Sequence, residues 1–282
     1  MQSVESIEQW PVQNAAAAVV GSDGRVLGSH GDQQRRYPLA SVTKLLTAYA
    51  ALVAVEEGAL GLDQPAGPEG STVRHLLAHS AGYDFGGRTI RYRPGERRLY
   101  SNAGFEVLAE TLEDSAGIAF ADYLRQGVLD PLAMAATALE GSPAAGAVST
   151  AADLALFAAE LQRPALLDAS TLEAATAVVF PGLAGVLPGF GRQQNNDWGL
   201  GFEIRDAKSP HWTGAGSSPR TFGHFGQSGT FLWVGPGAGA ACVALTDRDF
   251  GPWAAAAWPG FTDGVLEELA GRARTGGGSP VR

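Results

Sequence analysis

Apolar and polar positions change their period twice along the chain. Near the start, residues 15–20 and 26–27 are short apolar runs joined by Gly21-Ser22-Asp23-Gly24, which predicts a β-hairpin. From about Thr43 to Ala177 the texture turns helical and alanine-rich, and the spacing predicts helices over 45–55, 73–79, 103–115, 120–127, 150–161 and 170–178. The first of these is apolar on nearly every face and reads as a buried helix. Strand texture returns after Asp197, over 200–205, 221–225, 230–234 and 241–246, broken by glycine and proline. An amphipathic helix over 262–273 follows, and no internal repeat is visible.

Strands at both ends and helices between them predict an α+β fold: one antiparallel sheet built from the two chain ends, flanked by helices, with a mostly helical second lobe. The expected organisation is a single domain over 1–274, with an α/β lobe from about 1–45 and 197–274 and a helical lobe from about 46–196. The Gly-, Ser- and Pro-rich stretch 275–282 reads as a flexible tail. The boundary between the lobes is a natural cleft.

Composition narrows the function. At 282 residues and 45% hydrophobic, the chain can bury a large core, and a formal charge of −9 argues against nucleic acid or an anionic membrane as partner. No window approaches a transmembrane span, and residues 1–13 carry Glu5 and Glu8 without an apolar core of signal-peptide length, so the expected compartment is the cytoplasm. The single cysteine, Cys242, excludes an internal disulfide and reads as a buried structural thiol. His75 and His79 have the spacing of a zinc pair, but position 76 is leucine where a metalloprotease needs glutamate, and no third ligand is evident. They are assigned to packing, and no metal or cofactor is expected. The turns at Gly21 to Gly24 and Gly235-Pro236-Gly237 do not lead from a strand into a helix and so are not phosphate loops. What remains is a small-molecule substrate, with the oligomeric state unread.

The chemistry concentrates first at Ser41-Val42-Thr43-Lys44. A serine and a lysine three residues apart share one face of a helix, so the amine can reach the hydroxyl. At a helix N-terminus, unpaired N–H groups also favour negative charge developing there. Alone the pattern is unspecific, since a serine cap followed by a surface lysine looks the same. Lys44, however, is one of only two lysines, the other being Lys208, in a chain that otherwise uses arginine. Lysine, unlike arginine, can be brought near neutral pH and act as a base, and a lysine at the mouth of a buried helix is desolvated in that direction.

Two further clusters follow: Tyr100-Ser101-Asn102 before a predicted helix, and Gly223-His224-Phe225-Gly226-Gln227-Ser228-Gly229-Thr230 on a predicted strand. In this order the three resemble the serine β-lactamase and penicillin-binding-protein superfamily, most closely its class C β-lactamase-like branch, which includes D-amino-acid-releasing peptidases and family VIII esterases. Ser41 to Lys44 matches the Ser-x-x-Lys element, Tyr100 to Asn102 the Tyr-x-Asn element, and His224-Phe225-Gly226 the Lys-Thr-Gly-like element. Weaker matches at 76–82, 148–154 and 198–201 extend the resemblance over nearly the whole chain.

The resemblance implies a β-lactamase/transpeptidase-like fold in which Ser41 attacks a carbonyl and forms an acyl-enzyme. Lys44 and Tyr100 are the candidate bases, including a tyrosinate beside an ammonium, and the choice between them is a coupled titration. Asn102 holds Lys44 or the substrate amide, His224 stands near Tyr100, and the backbone N–H groups of Ser41 and Gln227 form the oxyanion hole. His224 and Phe225 depart from the lysine and hydroxyl residue that bind a substrate carboxylate in β-lactamases. Losing one hydrogen bond to a charged group costs about 1.5 to 3 kcal/mol, so the site is expected to be poor at β-lactams unless Arg220 or Thr230 supplies another anchor. Asp84, Arg88 and Arg91 are read as a solvated loop, and 180–196 as a loop that sets specificity. The expected function is a serine hydrolase acting on a small ester or amide, esterase-like. The alternatives are a β-lactamase or D-Ala-directed peptidase and a non-catalytic binding protein that retains the fold.

Overall fold

The computed structural model describes residues 1–276. The chain opens with helix α1 (Gln2–Glu5) and enters the main sheet through β1 (Ala15–Gly21) and β2 (Val26–His30). Its middle forms β3 (Tyr37–Pro38), α2 (Thr43–Glu56), α3 (Val73–Leu77), α4 (Asn102–Ala116), α5 (Phe120–Leu124), β4 (Ala138–Leu139), β5 (Ala147–Ser149), α6 (Ala151–Glu160) and α7 (Ala169–Ala175). A hairpin follows, β6 (Gly185–Leu187) and β7 (Gly191–Gln193). The chain then runs through β8 (Glu203–Ile204), β9 (Phe222–Gly226), β10 (Thr230–Gly235), β11 (Ala240–Thr246) and the long helix α8 (Pro252–Gly276).

The main sheet is antiparallel in the order β2-β1-β11-β10-β9-β8. β1 pairs along its whole length with β11, from Ala15↔Thr246 to Gly21↔Ala240, so the two chain ends do build one sheet. Both faces are buried, and the period-2 alternation of a strand sorts its side chains between two cores. Ala16, Ala18 and Val20 of β1 join Leu232 and Val234 of β10 and the apolar residues of α2, α4 and α6 on one face. Ala17 and Val19 join Phe231, Trp233 and the α8 residues Trp258 and Val265 on the other. The same parity sends Phe222 to the first core and Phe225 to the second.

Several elements differ from expectation for local reasons. α8 begins well before residue 262. Pro252 suits a first helical turn, where its missing N–H has no acceptor, and the buried Trp258 and Phe261 hold Pro259 inside the helix. The helix expected over 73–79 ends at Leu77, and His79 lies at φ 52°. α5 gives way to a π-helical turn over Arg125–Leu129. The strand expected over 200–205 shrinks to the edge strand β8, and the 180–196 stretch contains the β6–β7 hairpin. Of the expected tail, residues from 277 on lie outside the described residues. Among the described residues no helix is long and apolar enough to cross a membrane.

Candidate active site

Ser41 sits in a single 3₁₀ turn, Ala40–Val42, between β3 and α2 rather than on α2 itself. The preceding Ala40 is at φ 44°, a left-handed conformation that costs a residue with a Cβ and persists only where the surroundings enforce it. The enforcement comes from the β9–β10 turn. Ser228 Oγ donates to Pro38 O at 2.7 Å and Thr230 Oγ1 donates to Leu39 O at 3.0 Å. Gly226 makes this approach possible, because a Cβ there would lie 2.3 Å from Leu39 O and 3.2 Å from the Ala40 Cβ. Gln227 is thereby brought to the same cleft as Ser41. Ser228 is a staple between segments, and Ser101 is the N-cap of α4, accepting from Gly104 N at 3.1 Å and donating to Asp84 O at 2.6 Å.

Lys44 is fully buried in the first turn of α2. Its Nζ donates to Asn102 Oδ1 at 2.6 Å and to Ala144 O at 2.8 Å, and lies 3.4 Å from Ser41 Oγ. It also stands 4.7 Å from the centre of the Tyr100 ring. None of its hydrogen-bond partners is a carboxylate, so burial pushes the amine well below the usual lysine range, with only the more distant charge of Glu106 opposing. The sequence expected partial desolvation, and the fold makes it complete.

Tyr100, Asn102 and His224 meet at the same point. Asn102 opens α4, and its backbone N–H donates to Phe85 O at 2.7 Å. The Tyr100 hydroxyl lies 3.3 Å from His224 Nε2. His224 Nδ1 lies 2.6 Å from Phe225 O, which can only accept, so Nδ1 carries the proton and Nε2 accepts from Tyr100. Burial pushes His224 down to about 3. Burial raises the Tyr100 hydroxyl, while a hydrogen bond with Ser41 works the other way. The site therefore favours the neutral forms of Lys44, Tyr100 and His224 together.

The cleft beside Ser41 is a cavity of about 110 Å³ walled mainly by aromatic rings, those of Phe85, Tyr100, Trp198, Trp212 and Phe225, together with Glu203. It opens where the edge strand β8 stops: β8 pairs only with Phe222 and Gly223, leaving His224 to Gly226 beyond its register. Phe225 contributes to the wall from the second core, packed 4.8 Å from Phe250 and 5.9 Å from Phe190 and Trp258 between ring centres. Neither residue considered as a substitute carboxylate anchor reaches the cleft. Arg220 is exposed in a separate groove with Pro219 and Phe222, and Thr230 is fully buried on Leu39 O.

Sequence reasoning missed several residues that shape this site. Glu203 is 2% exposed, with Lys208 Nζ at 2.7 Å, His211 Nε2 at 2.9 Å and Trp212 Nε1 at 3.0 Å. Burial alone would raise its carboxyl pKa, but Lys208 and His211 outweigh that and hold it well below the usual carboxylate range. Arg98, also buried, donates to the carbonyls of Ala78, Val179, Phe180 and Asn196 and so ties the 180–196 stretch to the end of α3. His79 accepts from Ser101 N at 3.2 Å and its ring lies 4.5 Å from that of Tyr100, while His75 stacks on Phe180 at 4.6 Å. Both histidines pack rather than pair. Asp84 and Arg91 form an exposed ion pair, and Arg88 pairs with Glu110. No cluster of three or more His, Cys, Asp or Glu side chains suited to a metal ion occurs among the described residues.

An antiparallel sheet flanked by helices, with a serine in the turn before α2 and a buried lysine in that helix's first turn, defines the β-lactamase/transpeptidase class of serine hydrolase fold. The chain matches the Beta-lactamase family over residues 7–265 and belongs to it; members of that family are serine hydrolases. It is similar to a beta-lactamase of Mycobacterium bovis, with 57% identity, 95% of this chain and 99% of that one covered, and a TM-score of 0.93. EstCE1, a hydrolase with promiscuous acyltransferase activity, shares the fold at 19% identity and a TM-score of 0.74, over 94% of this chain and 96% of that one. Penicillin-binding protein 4* of Bacillus subtilis is 28% identical over 35% of this chain, a match that spans 29% of that protein.

Proposed function

We propose that the protein is a serine hydrolase that forms an acyl-enzyme at Ser41 and acts on a small ester or amide without a carboxylate where relatives bind one. The observation that carries this reading is the Lys44 amine, buried 3.4 Å from Ser41 Oγ with two neutral carbonyl oxygens as its other partners. A neutral amine has two N–H donors and one lone pair. Asn102 Oδ1 and Ala144 O take the donors, which leaves the lone pair for the Ser41 hydroxyl.

Lys44 then accepts the Ser41 proton as Oγ bonds to the carbonyl carbon, and the carbonyl electron pair moves onto oxygen. That oxyanion gathers between the N–H groups of Ser41 and Gln227. Its collapse breaks the bond to the leaving alkoxide or amine, which takes the proton back from Lys44. Water repeats the sequence on the acyl-enzyme, with Lys44 again the base. Tyr100, neutral and donating to His224, lines the cleft beside the serine and takes no proton in these steps. A tyrosinate beside an ammonium is the weaker choice, because burial moves both groups away from their charged forms.

A second reading, β-lactam hydrolysis, draws on the name of the Mycobacterium bovis relative. It is opposed by Phe225 and by a cleft whose wall carries the Glu203 carboxylate and no lysine or arginine among the described residues. Intact-mass spectrometry after fluorophosphonate treatment, with p-nitrophenyl butyrate turnover alongside, tests the first reading. Ser41→Ala should take no label and lose turnover; full activity with another serine labelled would overturn the assignment. Efficient turnover of a chromogenic cephalosporin by the wild type would move β-lactam hydrolysis to first place.

A further inference from the structure

Glu203 is an unusual group to find in the wall of such a cleft. It lies at the position of β8 paired with Gly223, on the same sheet face as Phe225, and it is the one carboxylate among the described lining residues. Its ion pair has a direction. The Lys208 side chain is wholly inaccessible, held by Asp197 O at 2.7 Å and by Ile204 O, and does not line the cavity, so Glu203 is the member of the pair that lines the cleft. Lys208 offsets the cost of burying the charge. A carboxylate has about four acceptor positions. Lys208 lies on Oε1, Trp212 on Oε2, and the single His211 N–H is shared between the two oxygens at 2.9 and 3.2 Å, so three donors serve the four positions.

Most of the remaining lining is aromatic. Trp212 lines the cavity while its indole N–H donates to Glu203 Oε2 at 3.0 Å, which fixes the ring beside the carboxylate. Phe85, Tyr100, Trp198 and Phe225 add further rings to a wall that also includes Leu187 and Pro188. Ring faces carry negative potential and attract cations, most strongly in desolvated sites, and several rings about a single anion form the arrangement that recognises an alkylammonium. Resting on the reading of Ser41 as the acylated nucleophile, we propose that the cleft takes a substrate bearing an alkylammonium group, held between Glu203 and the rings of Trp212, Trp198 and Phe225. The same wall repels a carboxylate.

Three isosteric probes test this: choline, its neutral isostere 3,3-dimethylbutan-1-ol, and the anion 3,3-dimethylbutanoate, each used to protect Ser41 from fluorophosphonate labelling. Choline should half-protect the wild type at a concentration at least tenfold below that of the alcohol, and the anion should protect least. In the Glu203→Gln/Lys208→Met double variant, which keeps the network neutral, the choline-to-alcohol ratio should fall toward one. Equal protection by choline and alcohol in the wild type, or an unchanged tenfold preference in a folded double variant, would overturn the proposal. If thermal melting reports that the double variant is unfolded, the wild-type ranking decides alone. If Ser41 takes no label, the hydrolase reading fails separately, and the same ratio is read from quenching of tryptophan fluorescence by the probes.

Discussion

The chain's two lysines are both buried, and they sit in opposite electrostatic settings. Lys44 has two neutral carbonyl oxygens and a serine hydroxyl around its amine, whereas Lys208 has the Glu203 carboxylate at 2.7 Å. Desolvation acts against the charged form of any buried amine, and only a nearby anion reverses it. Lys44 lacks that anion in contact and is pushed toward the neutral base that acyl transfer needs. The Lys208 pair is a charged structural unit whose Glu203 member lines the same cleft. Burial by itself therefore does not tell what a lysine does; the charge of its nearest acceptor does.

The largest expected effect is on the chemistry. Lys44→Met, and equally Lys44→Arg, should slow acylation by the factor typical of losing a positioned base, about 10² to 10⁴, read from single-turnover labelling or p-nitrophenyl ester kinetics. Near-full activity in Lys44→Arg would mean that the amine is only an electrostatic anchor, and the contrast between the two lysines would collapse.

The next effect is on stability and runs the other way. Lys208→Met strands a buried carboxylate and should cost about 3 to 5 kcal/mol in urea unfolding, whereas adding Glu203→Gln should recover most of that loss. Lys44→Met breaks no contact ion pair and should cost clearly less. Equal losses for Lys44→Met and Lys208→Met would show that both amines are held as cations.

The smallest effect is the pH dependence, and it separates the two sites by window. Because Lys44 has a depressed pKa in the folded protein and the neutral form is active, turnover should fall as pH drops through the folded value. In stability, the unfolded chain holds a proton that folded Lys44 lacks, up to the free-lysine value of about 10.4, so wild type should gain on Lys44→Met as pH rises from the folded value toward the free-lysine value. Glu203 is depressed in the folded state too. For a carboxylate this stabilises above its unfolded pKa of about 4.3 and is lost as pH falls through the folded value, so wild type should lose ground to Glu203→Gln/Lys208→Met only in acid. Parallel unfolding curves across that range would remove the distinction.

Local order along the chain was enough for much of this molecule. Short apolar runs broken by glycine and proline marked the sheet strands, most of them buried on both faces, and helical spacing marked most helices. The Ser41 to Lys44 spacing and the Tyr100-Ser101-Asn102 and His224-Phe225-Gly226 clusters were legible for the same reason: each is a short run whose chemistry is visible without knowing its neighbours. Boundaries failed where tertiary contacts override local preference, as at Pro259, carried within α8 by the buried Trp258 and Phe261, and at His79, turned to φ 52° beneath Tyr100.

What no reading of periods could reach is how separate segments face one another. Arg98 is an ordinary arginine in sequence, yet folding turns it into a buried clamp on four carbonyls. Glu203, Lys208, His211 and Trp212 follow no helical or strand repeat, because most of that segment is irregular and its side chains converge through turns. Sequence determined that Ser41 has an amine within one turn. Only the tertiary structure decided that this amine meets no carboxylate while the other lysine does, because a pKa depends on distance through space and on excluded water, and neither is written in the order of residues.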